Sequence, residues 1–300
     1  MTEFLQQLIN GLAFGSILAL IALGYTMVYG ILRFINFAHG DVFMIGAFAG
    51  YYVTPRVSAF LPTPSIWSAL VVMVASMVIC AALGIVIERF AYRPLRYSPK
   101  LAVLITSIGI SLFLEYGGQF VFGAAPKPFP KLIPEYSLGV GGLRVTSNQI
   151  IVLAVTVALL VILRFIVLKT KTGMAMRALA FNPEGAALMG VNINVIISFT
   201  FGLGSALAAA AGILFAVLYP AVDPLMGIMP GLKAFCAAVL GGIGNLPGAA
   251  LGGLIIGTVE TFVSAYISST YRNAIAFAVL ILILLIKPSG LLGKKDVEKV

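Results

Sequence analysis

One histidine, two cysteines and ten acidic residues are all that this 300-residue chain offers for acid–base, thiol or metal chemistry. A single histidine makes neither a catalytic triad nor a metal site by itself. No Cys/His metal spacing, G-x-S-x-G or carboxylate pair at helical spacing supplies a substitute. A phosphate-binding loop is missing too: GLLGKK at 290–295 has the wrong spacing, so any nucleotide that drives this protein must bind another chain. Cys80 and Cys236 lie inside apolar runs, where a thiol behaves as a small hydrophobe. These absences argue against an enzyme, a resident metal and a cofactor.

Charge is equally scarce, at 10% of residues against 61% hydrophobic. Residues 4–32, 57–87, 145–163, 185–222 and 234–259 contain no Lys, Arg, Asp or Glu, and a helix needs only about 20 such residues to cross a bilayer. The class is all-α, a polytopic helical membrane protein with about eight transmembrane helices in one domain, 1–300. The net charge of +9 does not point to nucleic acid, because the cations sit at span ends. Twelve of the nineteen fall in three short segments: Arg89, Arg93, Arg96 and Lys100; Arg164, Lys169, Lys171 and Arg177; Lys287, Lys294, Lys295 and Lys299. That clustering reads as positive-inside topology.

Taken in order, spans are expected at 5–29, 34–53, 66–88, 101–122, 147–167, 193–219 and 273–287, with a broken pair over 231–267. Nothing positive precedes Arg33, and the first apolar run outlasts a signal-peptide core, so it is expected to stay as a span. Prolines at 55, 62 and 64 and at 126, 128, 130 and 134 mark non-helical loops. Gly11 and Gly15, Gly46 and Gly50, and the run Gly248, Gly252, Gly253 and Gly257 give three spans small-residue faces. Parity from the basic loops places the C-terminus in the cytoplasm and the N-terminus outside. Within 231–267, GGIGNLPG at 241–248 separates a short helix from a returning one.

Two stretches depart from plain spans. In GYTMVYGILRFINFAHGDVFMIGAFAG at 24–50, Arg33, Asn36, His39 and Asp41 interrupt apolar sequence. Polar groups in a bilayer are tolerated where they face protein or a water-filled path. Asn36, Phe37, His39 and Asp41, with Gly241, Gly242 and Gly244 of the second interruption, are the candidate translocation or gating residues. Each polar one read singly is also an ordinary interhelical hydrogen-bonding group. The second stretch is the loop 169–192. Asn182 suits an N-cap, Pro183 the first helical position, Glu184 the positive end of the dipole, and Gly190 a left-handed stop. A two-turn helix is expected there, serving either as a connector or as a docking element.

GYTMVYGILRFINFAHGDVFMIGAFAG, ERFAYRPLR at 88–96, AFCAAVLGGIGNLPGAALGG at 234–253 and the ending KPSGLLGKKDVEKV together resemble the LivH-type permease subunit of branched-chain amino acid ABC importers. The resemblance covers almost the whole length in order and spacing. It implies a bacterial inner-membrane location, a LivM-type companion permease, two cytosolic ATPases and a periplasmic amino-acid-binding protein, with no nucleic acid partner. NPEGAALMG at 182–190 is similar to the EAA-type loop that couples such permeases to their ATPases, with Gly185 in place of the first alanine. Asn182, Pro183, Glu184 and Gly190 become the candidate coupling residues. Two readings compete with it: an ion-coupled transporter or channel acting alone through Asp41, Glu115 or Glu260, and a permease for urea or short amides.

Overall fold

A computed structural model describes residues 2–293, so Lys294, Lys295 and Lys299 of the third basic cluster lie outside the described residues. Helices dominate: α1 (Thr2–Leu32), α2 (His39–Ser58), α3 (Ile66–Ile87), α4 (Lys100–Phe122), α5 (Ser147–Lys169), α6 (Lys171–Phe181), α7 (Pro183–Leu188), α8 (Ile193–Leu218), α9 (Ile228–Gly241), α10 (Leu246–Tyr266) and α11 (Arg272–Ile286). Seven stretches, built on α1, α3, α4, α5, α8, α10 and α11, are long and apolar enough to cross a membrane. The 20-residue α2 matches them in length but carries His39, Asp41 and Arg56. The chain is an all-α, multi-pass membrane protein.

Several boundaries differ from the sequence expectation. The second span begins at His39, not 34, because Arg33 takes a left-handed φ of 55° and 33–38 leaves the helix. It then runs through Pro55, whose lost amide bond falls in the last turn, where helices fray. Helix α3 continues through a π-turn at Glu88–Tyr92, so the first basic loop starts later than 89. The connection that carries the proline-rich loop holds three short strands, β1 (Lys127–Pro128), β2 (Ser137–Val140) and β3 (Leu143–Thr146). The segment 171–181, expected to be loop, is helix α6, capped by Thr170 Oγ1 accepting from the Gly173 amide. A further interruption, 219–227, had no counterpart in the sequence reading.

The connections sort into two ends. At one end β1 pairs with β4 (Ala221–Val222), joining the exits of α4 and α8, while β2 pairs with β3 (Leu143–Thr146). Gln6 of α1 bonds both ways with the Arg144 backbone at this end. At the other end Arg96 Nη1 donates to Asn194 Oδ1 at 2.8 Å, and α6 and α7 lead into α8. The 242–245 turn joins them there, held by Asn245 Nδ2 donating to the Leu292 carbonyl at 2.7 Å.

What packs these helices is backbone rather than bulk. Gly11 and Gly15 of α1 face Thr258, Leu254 and Gly257 of α10, and Gly253 lies on the Ala19 backbone. Gly248 and Gly252 turn the other face of α10 onto Gly241 and Ala237 of α9. Helix α8 sets Gly204 against Gly24, Ala209 against Gly46, Ser205 against Gly84 and Gly212 against Phe43. Lipid tails compete with any apolar side chain, so close backbone approach is how membrane helices gain dispersion energy. Gly253→Leu is expected to cost about 1–3 kcal/mol or more, seen as a lower unfolding temperature in detergent. Gly117→Leu, where an added side chain meets nothing within 4 Å, is expected to leave that temperature unchanged.

Candidate functional site

The two chain breaks at 33–38 and 219–227 converge. Each follows a long helix, α1 or α8, and each releases a helix with buried residues in its first turn, His39 to Val42 of α2 and Pro230 and Gly231 of α9. Helix α2 starts at His39 and runs toward the β1–β4 end; α9 starts at Ile228 and runs toward the α6–α7 end. Their first turns touch. A Cβ added at Gly40 would lie 2.7 Å from the Gly227 carbonyl oxygen and 3.0 Å from Gly231 Cα. Only glycine at all three positions allows this contact. The helices thus present their positive dipole ends to one another, in two segments of opposite sense.

Around this junction the polar cluster of 36–41 is buried and ordered. Asn36 Oδ1 accepts from Tyr92 Oη at 2.6 Å, and the Asn36 carbonyl accepts the His39 amide at 3.2 Å. His39 is 2% exposed, with its ring in the notch left by Gly24 and edge-on to Tyr25 at 4.7 Å. Among the described residues its Nε2 has no hydrogen-bond partner. Phe37 and Tyr25 both lie against Phe235 of α9, at 6.3 and 6.2 Å between ring centres. Asp41 accepts from Ser111 Oγ of α4, which stands 3.5 Å from Glu115 Oε1. No group of three or more metal-ligating side chains occurs among the described residues.

Structure brings Asn36, Phe37, His39 and Asp41 together at the junction and puts Gly241, Gly242 and Gly244 elsewhere. Those glycines close the α9–α10 hairpin, about 21 Å along α9 from its first turn by helical rise. Gly242 and Gly244 take φ of 99° and 91°, and Gly242 packs on Gly293. Sequence reasoning missed Gly227 and Gly231, which sit near Pro220, Pro224 and Pro230; that density of helix breakers was the available signal. It also missed Lys233. Lys233 and Glu260 bracket the uncharged run 234–259, and in the fold Lys233 Nζ meets Glu260 Oε1 at 2.7 Å. Arg272 Nε bonds the same oxygen, tying α9, α10 and α11 together.

The loop at the far end has the expected local chemistry. Asn182 Oδ1 accepts the Gly185 amide at 3.0 Å, Pro183 opens α7, and Gly190 takes φ 83°. Ala186 is buried, whereas Phe181 (89% exposed), Leu188 (89%) and Met189 (86%) stand out around Glu184. From here α8 is braced to α3: Ser198 Oγ donates to Glu88 Oε2 at 2.6 Å, and Arg96 Nη2 to Glu88 Oε1 at 3.0 Å.

Residues 7–284 match the family described as "Branched-chain amino acid transport system / permease component". The chain is 42% identical to the high-affinity branched-chain amino acid transport system permease protein LivH of Salmonella typhimurium, over 99% of this chain and 98% of the relative. It is 42% identical to the corresponding protein BraD of Pseudomonas aeruginosa over the same shares. A more distant relative, the ribose import permease protein RbsC of Haemophilus influenzae, is 26% identical over 97% of this chain and 87% of its own length.

The junction makes a stability prediction. Tyr92→Phe removes the donor to the buried Asn36 Oδ1 and is expected to cost about 1–3 kcal/mol, read as a lower denaturation midpoint. Tyr97→Phe, at a residue 94% exposed, is expected to leave it unmoved.

Proposed function

The chain belongs to the family of permease components of branched-chain amino acid transport systems, and from this premise we propose that it is one membrane-spanning subunit of an ATP-driven importer of branched-chain or other neutral amino acids. The observation that carries the mechanism is the meeting of two opposed broken helices at Gly40, Gly227 and Gly231. Paired interrupted helices mark substrate paths in transporters because irregular backbone in a membrane is tolerated where it lines a cavity.

In this reading the α6–α7 end is cytoplasmic, in keeping with the cations of 89–100 and 164–177. The N-terminus is then periplasmic and the C-terminus cytoplasmic, in a bacterial inner membrane. A companion permease completes the path, two cytosolic ATPases supply hydrolysis, and a periplasmic receptor delivers the amino acid. Helix α7, capped by Asn182 and stopped by Gly190, docks on an ATPase through Glu184 and the exposed Phe181, Leu188 and Met189. Exposed apolar groups of that size next to a charge suit a protein partner. Motion of α7 enters α8 directly at Ile193. Helix α8 carries it past the Glu88–Arg96 brace to Gly204, which packs on Gly24 beside His39.

At the junction, Asn36, Phe37, His39 and Asp41 act as gate and lining. The turn at Gly241, Gly242 and Gly244 clamps α9 to α10, so that gating moves the pair as one piece. No residue of this chain breaks a bond. A gate built this way needs only a small shift, since separating Gly40 from Gly227 and Gly231 opens backbone groups to water.

The test is reconstitution of the companion permease, the ATPases and the loaded receptor with this chain. Leucine-loaded receptor is expected to raise ATP hydrolysis several-fold. Glu184→Arg is expected to lower coupled hydrolysis or assembly while leucine binding to the isolated receptor stays normal. Uptake by this chain alone on a proton or sodium gradient would overturn the proposal.

A further inference from the structure

At the β1–β4 end a cavity of about 490 Å³ opens between α1, α5, α8, α10 and α11. That volume lies within the range of about 300–1,000 Å³ common for small-molecule sites. It is separate from the junction, and none of the candidate gating residues lines it. Arg272 in its wall belongs to the ion triad. Glu260 is fully buried and spends one oxygen, Oε1, on both Lys233 and Arg272. Two cations against one carboxylate leave one positive charge over, and both cations also lie over the Phe14 ring, at 5.9 and 5.0 Å.

Of the triad, Arg272 alone reaches the cavity wall. Its Nε is held by Glu260 and its side chain is 39% exposed, with Tyr219 of the same cavity beside its guanidinium. It is a fork of five donors fixed at one nitrogen, the geometry that suits a carboxylate. Acceptors line the same cavity. Asn148 gives its Nδ2 to the Val217 carbonyl at 3.3 Å, while its Oδ1 is buried with no partner among the described residues. An unsatisfied buried amide oxygen costs free energy until a donor arrives. Glu135 adds a carboxylate at the exposed rim. The other amides are already committed to one another: Gln149 Nε2 donates to Asn10 Oδ1 at 2.7 Å, and Asn10 Nδ2 to Gln7 Oε1 at 3.2 Å. Ala13, Leu218 and Ala265 supply apolar wall between these polar groups.

We propose that this cavity is a receiving site for a zwitterionic amino acid on the permease itself, with Arg272 taking the α-carboxylate and Asn148 Oδ1 with Glu135 taking the α-ammonium group. The site rests on the transport reading above and deepens it, since it gives this chain direct contact with the substrate at the face where the receptor would release it. The triad then has a second task. Lys233 sits two residues beyond Gly231 of the junction, so a carboxylate drawing on Arg272 alters the charge balance that fastens α9 to α10.

The experiment measures binding of radiolabelled L-leucine to the complete transporter in lipid nanodiscs with the receptor left out. Saturable binding is expected, competed by valine but poorly by leucinamide, which lacks the carboxylate, and poorly by isocaproate, which lacks the ammonium group. Arg272→Gln and Glu135→Gln are each expected to weaken it at least about tenfold, the scale of losing a hydrogen bond to a charged group. Glu135 touches none of the triad, so its variant keeps the test decisive where Arg272→Gln fails to fold. No saturable binding, or equal binding by a well-folded Glu135→Gln complex, overturns the site. An effect of Glu135→Gln confined to receptor association would make the cavity a docking surface, and also overturns it. Receptor-stimulated hydrolysis without free-leucine binding refutes the site and spares the transport reading. Binding without stimulated hydrolysis supports the site and refutes ATP coupling.

Discussion

A bilayer gives helices no hydrophobic reason to leave lipid for one another, so this bundle depends on how near two backbones can come. That distance is set where glycine and alanine stand on facing helices. Gly11 and Gly15 against α10, Gly46 against Ala209, and Gly24 against Gly204 are such places. They bring α1, α2, α8 and the first turn of α9 to backbone contact at these points, with larger buried side chains such as Leu20, Phe43, Phe48 and Phe201 filling the space between. Helix α4 is the opposite case, with Phe113, Tyr116 and Phe120 turned outward and Gly109 and Gly117 touching nothing. The division matters for function. A core fastened by backbone contact moves as rigid pieces, and the places it can part are the few where two breaks meet.

The junction at Gly40, Gly227 and Gly231 is that place. Two helices starting inside the protein expose unpaired amide groups in their first turns, a cost that lipid would not repay. Here the cost is met locally: His39 and Asp41 amides find the carbonyls of Asn36 and Ala38, and the Gly231 amide bonds the Gly227 carbonyl. The polar side chains of 36–41 do the rest by reaching across to Tyr92 and Ser111. The same features that make the break tolerable make it a candidate gate, because its hydrogen bonds are short-range and few.

Much of this was legible in the sequence and some was not, for physical reasons. Uncharged runs marked the spans because charge in lipid is costly, and the positions of 66–87, 147–169 and 193–218 follow them closely. Asn182, Pro183 and Gly190 marked α7 because capping is a local matter. Helix α6 was hidden, since KTGMAMRALAF is short, carries a glycine and has no Asp or Asn before it; its cap is Thr170. The break at 219–227 had a local signal in Pro220, Pro224 and Pro230, but its pairing did not. Gly227 and Gly231 gain their meaning only from Gly40, nearly two hundred residues earlier, and pairing of that kind has no local signature. Arg272 likewise has no partner near it in sequence and meets Glu260, beside Lys233, only in the fold.

Gly40→Ala in the assembled transporter tests the central claim most directly, because the added methyl group intrudes on Gly227 and Gly231. The measurement is receptor-dependent uptake of leucine into proteoliposomes, set beside receptor association and basal ATP hydrolysis of the same preparation. The account predicts that uptake falls several-fold while association and basal hydrolysis persist. Uptake at the unmodified rate would contradict it.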